Sequence, residues 1–260
     1  MGAGKKHGAP CRHLTAIKEE TMRKKALITG ASRGIGAATA RALAKEGYDL
    51  FLVCRKSEKE LVHIKEELER TGGISCQVML CDVSDPEQVE TMVKQAGDVH
   101  VLINNAAVSH VGLLTDMSVD QWDQVMGTNL SSLFYTCRLV IPQMVRRKEG
   151  KIINVSSVWG NSGASMEVAY SASKGGVNSF TRALAKELAP SGIQVNAVAF
   201  GVVDTEMNRC FSEEEMEMLR EEIPADRIGS VEEAAQMIRQ ILHSPDYFTG
   251  QIVTMDGGWT

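Results

Sequence analysis

The fold is decided by one stretch near the N-terminus, Ala26-Leu27-Ile28-Thr29-Gly30-Ala31-Ser32-Arg33-Gly34-Ile35-Gly36-Ala37-Ala38-Thr39-Ala40. A short apolar run, Ala26 to Thr29, reads as a buried strand. Glycines spaced G-x3-G-x-G follow it, and an Ala-rich helical pattern from Ala37 to Lys45 follows them. Strand, glycine turn and helix in this order make a phosphate site. Glycines let the backbone turn tightly and approach an anion, whose charge is met by unpaired N–H groups and the positive end of the helix. Gly30, Ser32, Arg33, Gly34, Ile35 and Gly36 are the candidate contacts.

Outward from that stretch the chain alternates short apolar runs with helical ones. Strand patterns at Leu50 to Val53, Ile74 to Leu80, Val99 to Ile103, Ile152 to Val155, Gln194 to Ala199 and Gln251 to Thr254 are separated by helical patterns. These are Glu58 to Arg70, Pro86 to Gln95, Val119 to Arg146, Glu167 to Leu188, Glu213 to Glu222 and Val231 to His243. The rhythm predicts an α/β fold over residues 23–260: a single Rossmann-type, doubly wound parallel sheet of about seven strands with helices on both faces. Residues 1–22 are polar and basic with no signal-peptide core, and read as a flexible N-terminal extension.

Composition narrows the function. With 43% hydrophobic and 23% charged residues and a net charge of −5, the chain has no basic footprint for nucleic acid, and its apolar runs are too short to span a bilayer. Six cysteines form no C-x-x-C pair, which fits a reducing cytoplasm, and six scattered histidines offer no metal-ligand spacing. The expected ligands are small molecules, with no metal.

A second stretch, Asn154 to Lys174 (NVSSVWGNSGASMEVAYSASK), carries the chemistry. Its strand ends at Ser156 and Ser157, where open α/β sheets bind ligands. After a Gly-containing loop, Tyr170 and Lys174 stand four apart on one helix face. A free phenol titrates near 10, so acid/base work near neutrality needs the pKa depressed by about three, worth about 4 kcal/mol. Lys174 is expected to supply part of that depression, while Ser157 holds a carbonyl oxygen for Tyr170 to protonate.

The G-x3-G-x-G turn, Asn104-Asn105-Ala106-Ala107, Asn129, Ser157 and Tyr170-x3-Lys174 together resemble the short-chain dehydrogenase/reductase family. Within it TGASRGIG and the ending TGQIVTMDGGW are most similar to 3-oxoacyl-(acyl-carrier-protein) reductases. The resemblance implies Tyr170 as acid/base, Ser157 as carbonyl anchor, Lys174 on the nicotinamide ribose, and Asn129 holding a relay water. It also implies Asp82 and Val83 at the adenine, Asn105 beside the cofactor, and Gly201 to Thr205, with Val203 and Thr205, at the carboxamide. Ala107 and Phe200 depart from the family's usual Gly and Pro.

The second strand ends in Cys54-Arg55-Lys56, with no carboxylate for a ribose 2′-OH. Arg55 and Arg33 therefore suit a 2′-phosphate, and NADP(H) is the expected cofactor. The expected reaction is reduction of a carbonyl to a secondary alcohol, foremost a 3-oxoacyl thioester of fatty acid biosynthesis. A hydroxysteroid, bile-acid or sugar-alcohol dehydrogenase is the alternative, and a non-catalytic dinucleotide sensor the remote one. Acyl carrier protein is a candidate partner through Arg146, Arg147 and Lys148, although Ser191 stands where a second docking Arg is frequent. Small residues around the Glu167 to Leu188 helix, including Ala172, Gly175, Gly176 and Ala183, and the resemblance itself imply a homotetramer.

Overall fold

A computed structural model describes residues 1–2, 23–207 and 212–260. Most of the expected N-terminal extension (3–22, with Cys11) and residues 208–211 of the loop Thr205 to Phe211, with Cys210, lie outside the described residues.

Strands β1 (Lys25–Thr29), β2 (Asp49–Cys54), β3 (Cys76–Leu80), β4 (Val101–Asn104), β5 (Gly150–Ser157), β6 (Ile193–Phe200) and β7 (Ile252–Met255) form one parallel sheet in the order β3-β2-β1-β4-β5-β6-β7. Alternate side chains of each strand enter different cores. Ala26, Ile28, Leu50 and Leu52 pack under α1 (Gly34–Lys45), α2 (Glu58–Gly72) and α9 (Val231–Leu242), whose Leu43, Leu61 and Ile238 are buried there. Leu27, Phe51, Val53 and Leu102 pack on the other face with α3 (Pro86–Ala96), α5 (Ser132–Arg147) and α7 (Val168–Leu188), through Met92, Val140 and Leu188. Burial on both faces is why these strands read as continuous apolar runs rather than alternating ones.

The sheet and crossovers follow the sequence reading, with two differences. The helical pattern expected from Val119 to Arg146 is divided into α4 (Val119–Met126), a π-helical segment (Gly127–Ser131) and α5. Strands β5 and β6 also run eight residues each, beyond their apolar centres. Polar side chains inside β5 are buried without cost because they are paired: Asn154 accepts from Asn104 Nδ2 at 2.9 Å and donates to Thr181 Oγ1 at 2.9 Å.

Strand order reverses between β1 and β4, so the carboxyl ends of β1, β4 and β5 open into a common crevice. A short helix, α6 (Trp159–Ser162), follows β5 and lies against α7. A β-carbon on Gly160 would stand 2.7 Å from the Lys174 carbonyl carbon, so the absence of a side chain there sets how closely the two helices approach. Helix α8 (Glu213–Glu222) starts at Ser212 with a capping box. No described helix is long and apolar enough to cross a membrane.

Candidate active site

The crevice is a cleft of ≈ 840 Å³ running from the glycine turn to the C-terminal end of the chain. At one end the turn folds on itself: a β-carbon on Gly36 would stand 2.3 Å from the Gly30 carbonyl oxygen, and Gly34 has φ of +56°. Asn105 fastens the turn from β4, donating through Nδ2 to the Thr29 and Gly30 carbonyls at 3.0 Å each. Helix α1 begins without a side-chain cap, and its first turn holds no acid, so its leading N–H groups remain available to an anion. Thr205 closes the opposite lip, 3.4 Å from where a Gly34 side chain would begin, and Val203 bridges to Gly229.

Beyond the turn, Arg55, Asp82 and Val83 also line the cleft. The cations expected for a 2′-phosphate are not free. Arg55 lies 3.7 Å from Asp82, and Arg33 pairs with Glu206 at 2.8 Å. Asp82 also accepts from the Ser84 backbone N–H and hydroxyl, so its carboxylate orders the loop after β3. No acid occupies Cys54 to Ser57, and the uncapped α1 terminus opens onto the same cleft.

At the other end Ser157, Tyr170 and Lys174 line the same cleft. The Ser157 hydroxyl accepts from the Trp159 backbone N–H at 3.2 Å and lies close enough to the Tyr170 phenol to favour its ionised form. Lys174 is buried, donates to the Val155 carbonyl at 2.8 Å and lies 5.5 Å from the centre of the Tyr170 ring. The titration of the pair corrects the sequence reading. Burial pushes the Tyr170 phenol up to about 12, helped by the nearby Glu167 charge and opposed by Ser157, while burial lowers the Lys174 ammonium to about 8. Desolvation dominates the phenol in the chain alone, and Lys174 is not among the groups that lower it.

Asn129 does not line the cleft. It sits in the π-helical segment, where Oδ1 accepts from Val108 N and Nδ2 donates to the Val108 carbonyl and to Ser173 Oγ. Ser173 in turn donates to the Tyr170 carbonyl at 2.7 Å. Both amide protons are thus committed to the protein, and only an Oδ1 lone pair remains for a water. Phe200, in place of the usual Pro, ends β6 in the core beside Val155 and Met255, while Ala107 lies on the cleft wall.

Sequence reasoning did not single out the side chains at the substrate end. Trp159, Glu167 and Trp259 all face the cleft. The signal was present, since the chain has three tryptophans and two of them meet here, with ring centres 4.8 Å apart.

Residues 24–216 match the family described as short chain dehydrogenase. The chain therefore belongs to the short-chain dehydrogenase family of oxidoreductases. An uncharacterized oxidoreductase of Bacillus subtilis, YmfI, is 38% identical over 240 residues, covering 92% of this chain and 99% of its own. The 3-oxoacyl-(acyl-carrier-protein) reductases FabG of Staphylococcus aureus and Vibrio cholerae are 37% and 36% identical, covering 91% and 90% of this chain and 98% and 96% of theirs.

Proposed function

We propose that this chain is an NADPH-dependent reductase that converts a ketone to a secondary alcohol. The observation that carries the reading is the shared cleft, with the glycine turn and uncapped α1 terminus at one end and Ser157, Tyr170 and buried Lys174 together at the other. When bound, the reduced nicotinamide supplies the hydride that reaches the carbonyl carbon. Tyr170 gives its phenolic proton to the carbonyl oxygen as charge develops there. Ser157, beside that phenol in the cleft, holds the oxygen in line. Even held near 12, the phenol is a stronger acid than the alcohol being formed, so the transfer runs downhill. Lys174 keeps a positive charge beneath the ring, and Asn129 acts at one remove, positioning Tyr170 through Ser173.

Among carbonyl substrates, the relatives' names favour a 3-oxoacyl thioester. Carrier docking through the basic cluster has less support, because Arg147 is tied to Asp98 and donates to the Val99 carbonyl. A cytoplasmic setting and a homotetramer accompany this reading. The test is NADPH oxidation with a panel of 3-oxoacyl thioesters, steroid ketones and small ketones, with the alcohol product identified. Turnover of at least one ketone is expected; NADPH bound but never oxidised would favour the sensor instead.

A further inference from the structure

The substrate end of the cleft holds an uncompensated carboxylate. Glu167 precedes α7, yet its side chain makes no hydrogen bond to the helix backbone, so it is not there as a cap. Its carboxylate instead faces the cleft beside the Trp159 side chain and lies near enough to Tyr170 for its charge to be felt by the phenol. Among the described residues no Lys, Arg or His forms an ion pair with it. A part-buried carboxylate with no ion-pair partner is costly, and proteins keep such a group where a ligand completes it.

The surroundings favour one kind of completion. Trp159 packs against Trp259 at 60°, and Trp259 is held from α8 by its indole N–H to Glu222 at 3.4 Å. Indole faces attract cations, and a carboxylate bonds an ammonium about twice as strongly as a neutral donor. The backbone is also arranged to aim Glu167. Met166, just before it, is a non-glycine residue at φ of +63°, and its carbonyl accepts from Gly112 at 2.8 Å, pinning the loop after β4 to this lip. An apolar acyl chain has no use for a charge at this position.

We infer that Glu167, with the Trp159 and Trp259 indoles, is a specificity-determining group that selects ketones carrying a protonated amine a short carbon chain from the carbonyl. Glu167 and Tyr170 stand one helical turn apart, so their side chains start roughly 5–6 Å from each other, and one substrate reaches both. The ammonium takes the free carboxylate lone pairs while the carbonyl meets Ser157 and Tyr170. This rests on the ketone-reductase reading and names its substrate class from the cleft itself, in place of the 3-oxoacyl thioester that the relatives' names favour.

The test uses a homologous series of methyl ketones ending in a dimethylamino group, which is protonated at neutral pH, keeps one N–H and forms no cyclic imine. Each is paired with the neutral isostere ending in an isopropyl group. The expected result is a kcat/KM about tenfold or more higher for the cationic member at the best chain length, with that ratio collapsing towards one in Glu167→Gln, which removes only the charge. Trp159→Phe should shrink the ratio as well. Equal rates for the paired ketones, a preference for the neutral one, or a ratio unmoved in Glu167→Gln would overturn the inference and leave the reductase reading standing. If no ketone of either charge, nor any 3-oxoacyl thioester, oxidises NADPH, the reductase reading itself has failed, and the substrate class falls with it.

Discussion

Lys174 carries the sharpest consequence of burial at the level of single residues. Its ammonium is lowered from the ordinary 10.5 to about 8, so between those values the folded chain holds fewer protons than the unfolded one, and stability rises with pH across that window. Below pH 8 the buried charge costs on the order of 3 kcal/mol. Lys174→Met removes that cost but orphans the Val155 carbonyl, a loss of about 1–3 kcal/mol. The variant should therefore be as stable as the parent, or up to about 2 kcal/mol more stable, in urea unfolding at pH 7, and should lose that advantage above pH 10.5. A large destabilisation at pH 7 would show that the burial cost is met elsewhere. Arg55 makes the cofactor argument testable in the same way. Its contact with Asp82 is long and part-exposed, so a 2′-phosphate competes for it readily. Arg55→Ala should weaken NADPH by about 1.5–3 kcal/mol and leave NADH nearly unchanged, narrowing the preference tenfold or more in direct titrations. Equal losses with both cofactors would make Arg55 a partner for Asp82 alone.

Among the elements, the contact of α6 with α7 fixes where Lys174 sits. Gly160→Ala puts a methyl group within 2.8 Å of the Lys174 backbone, and neither helix backbone can yield without shifting the other. The expected outcome is a kcat drop of about 10²-fold, the scale that a 1 Å misplacement produces, with NADPH affinity far less affected because the glycine turn is remote from this contact. Unchanged kcat would mean that α7 is positioned by the π-helical segment instead. These elements also show what the sequence can and cannot disclose. The glycine turn, the seven strands and the Tyr170–Lys174 face were legible because each depends on local periodicity and spacing. The π-helical segment was not, since Gly127 to Ser131 keeps a helical pattern, and its widening follows from tertiary bonds of Asn129 to Val108 and Ser173. The raised Tyr170 phenol was hidden for the same reason, because desolvation is a property of packing. Glu167 read as the start of a helix; only the missing cap bond and its place beside Trp159 on the cleft wall separate it from an ordinary helix-start acid.

For the whole molecule, α4 and α5 each carry a large apolar side chain on the surface: Val119 is 74% and Phe134 51% exposed. The small residues of α7 give a weaker argument for assembly than the sequence implied. Gly176 packs on Leu130 and Gly175 approaches Gly160 within the chain, leaving Ala172 and Ala183 on the open side. Ala172 and Ala183, both exposed on α7, still offer small side chains suited to close helix pairing across a two-fold axis. Light scattering at micromolar concentration should give a tetramer, and Phe134→Glu should reduce it to smaller species; a mass of 28.3 kDa for the parent would contradict this. The central claim is that Tyr170 is the proton donor of a ketone reductase built on this sheet, and NADPH oxidation by Tyr170→Phe tests it most directly. With a ketone the parent reduces, the Phe variant should lose at least about 10²-fold in kcat while binding NADPH within about twofold of the parent, because the ring remains and only the hydroxyl is gone. A variant that kept more than about a tenth of the parent rate would contradict the account, since a positioned acid contributes at least about 10²-fold.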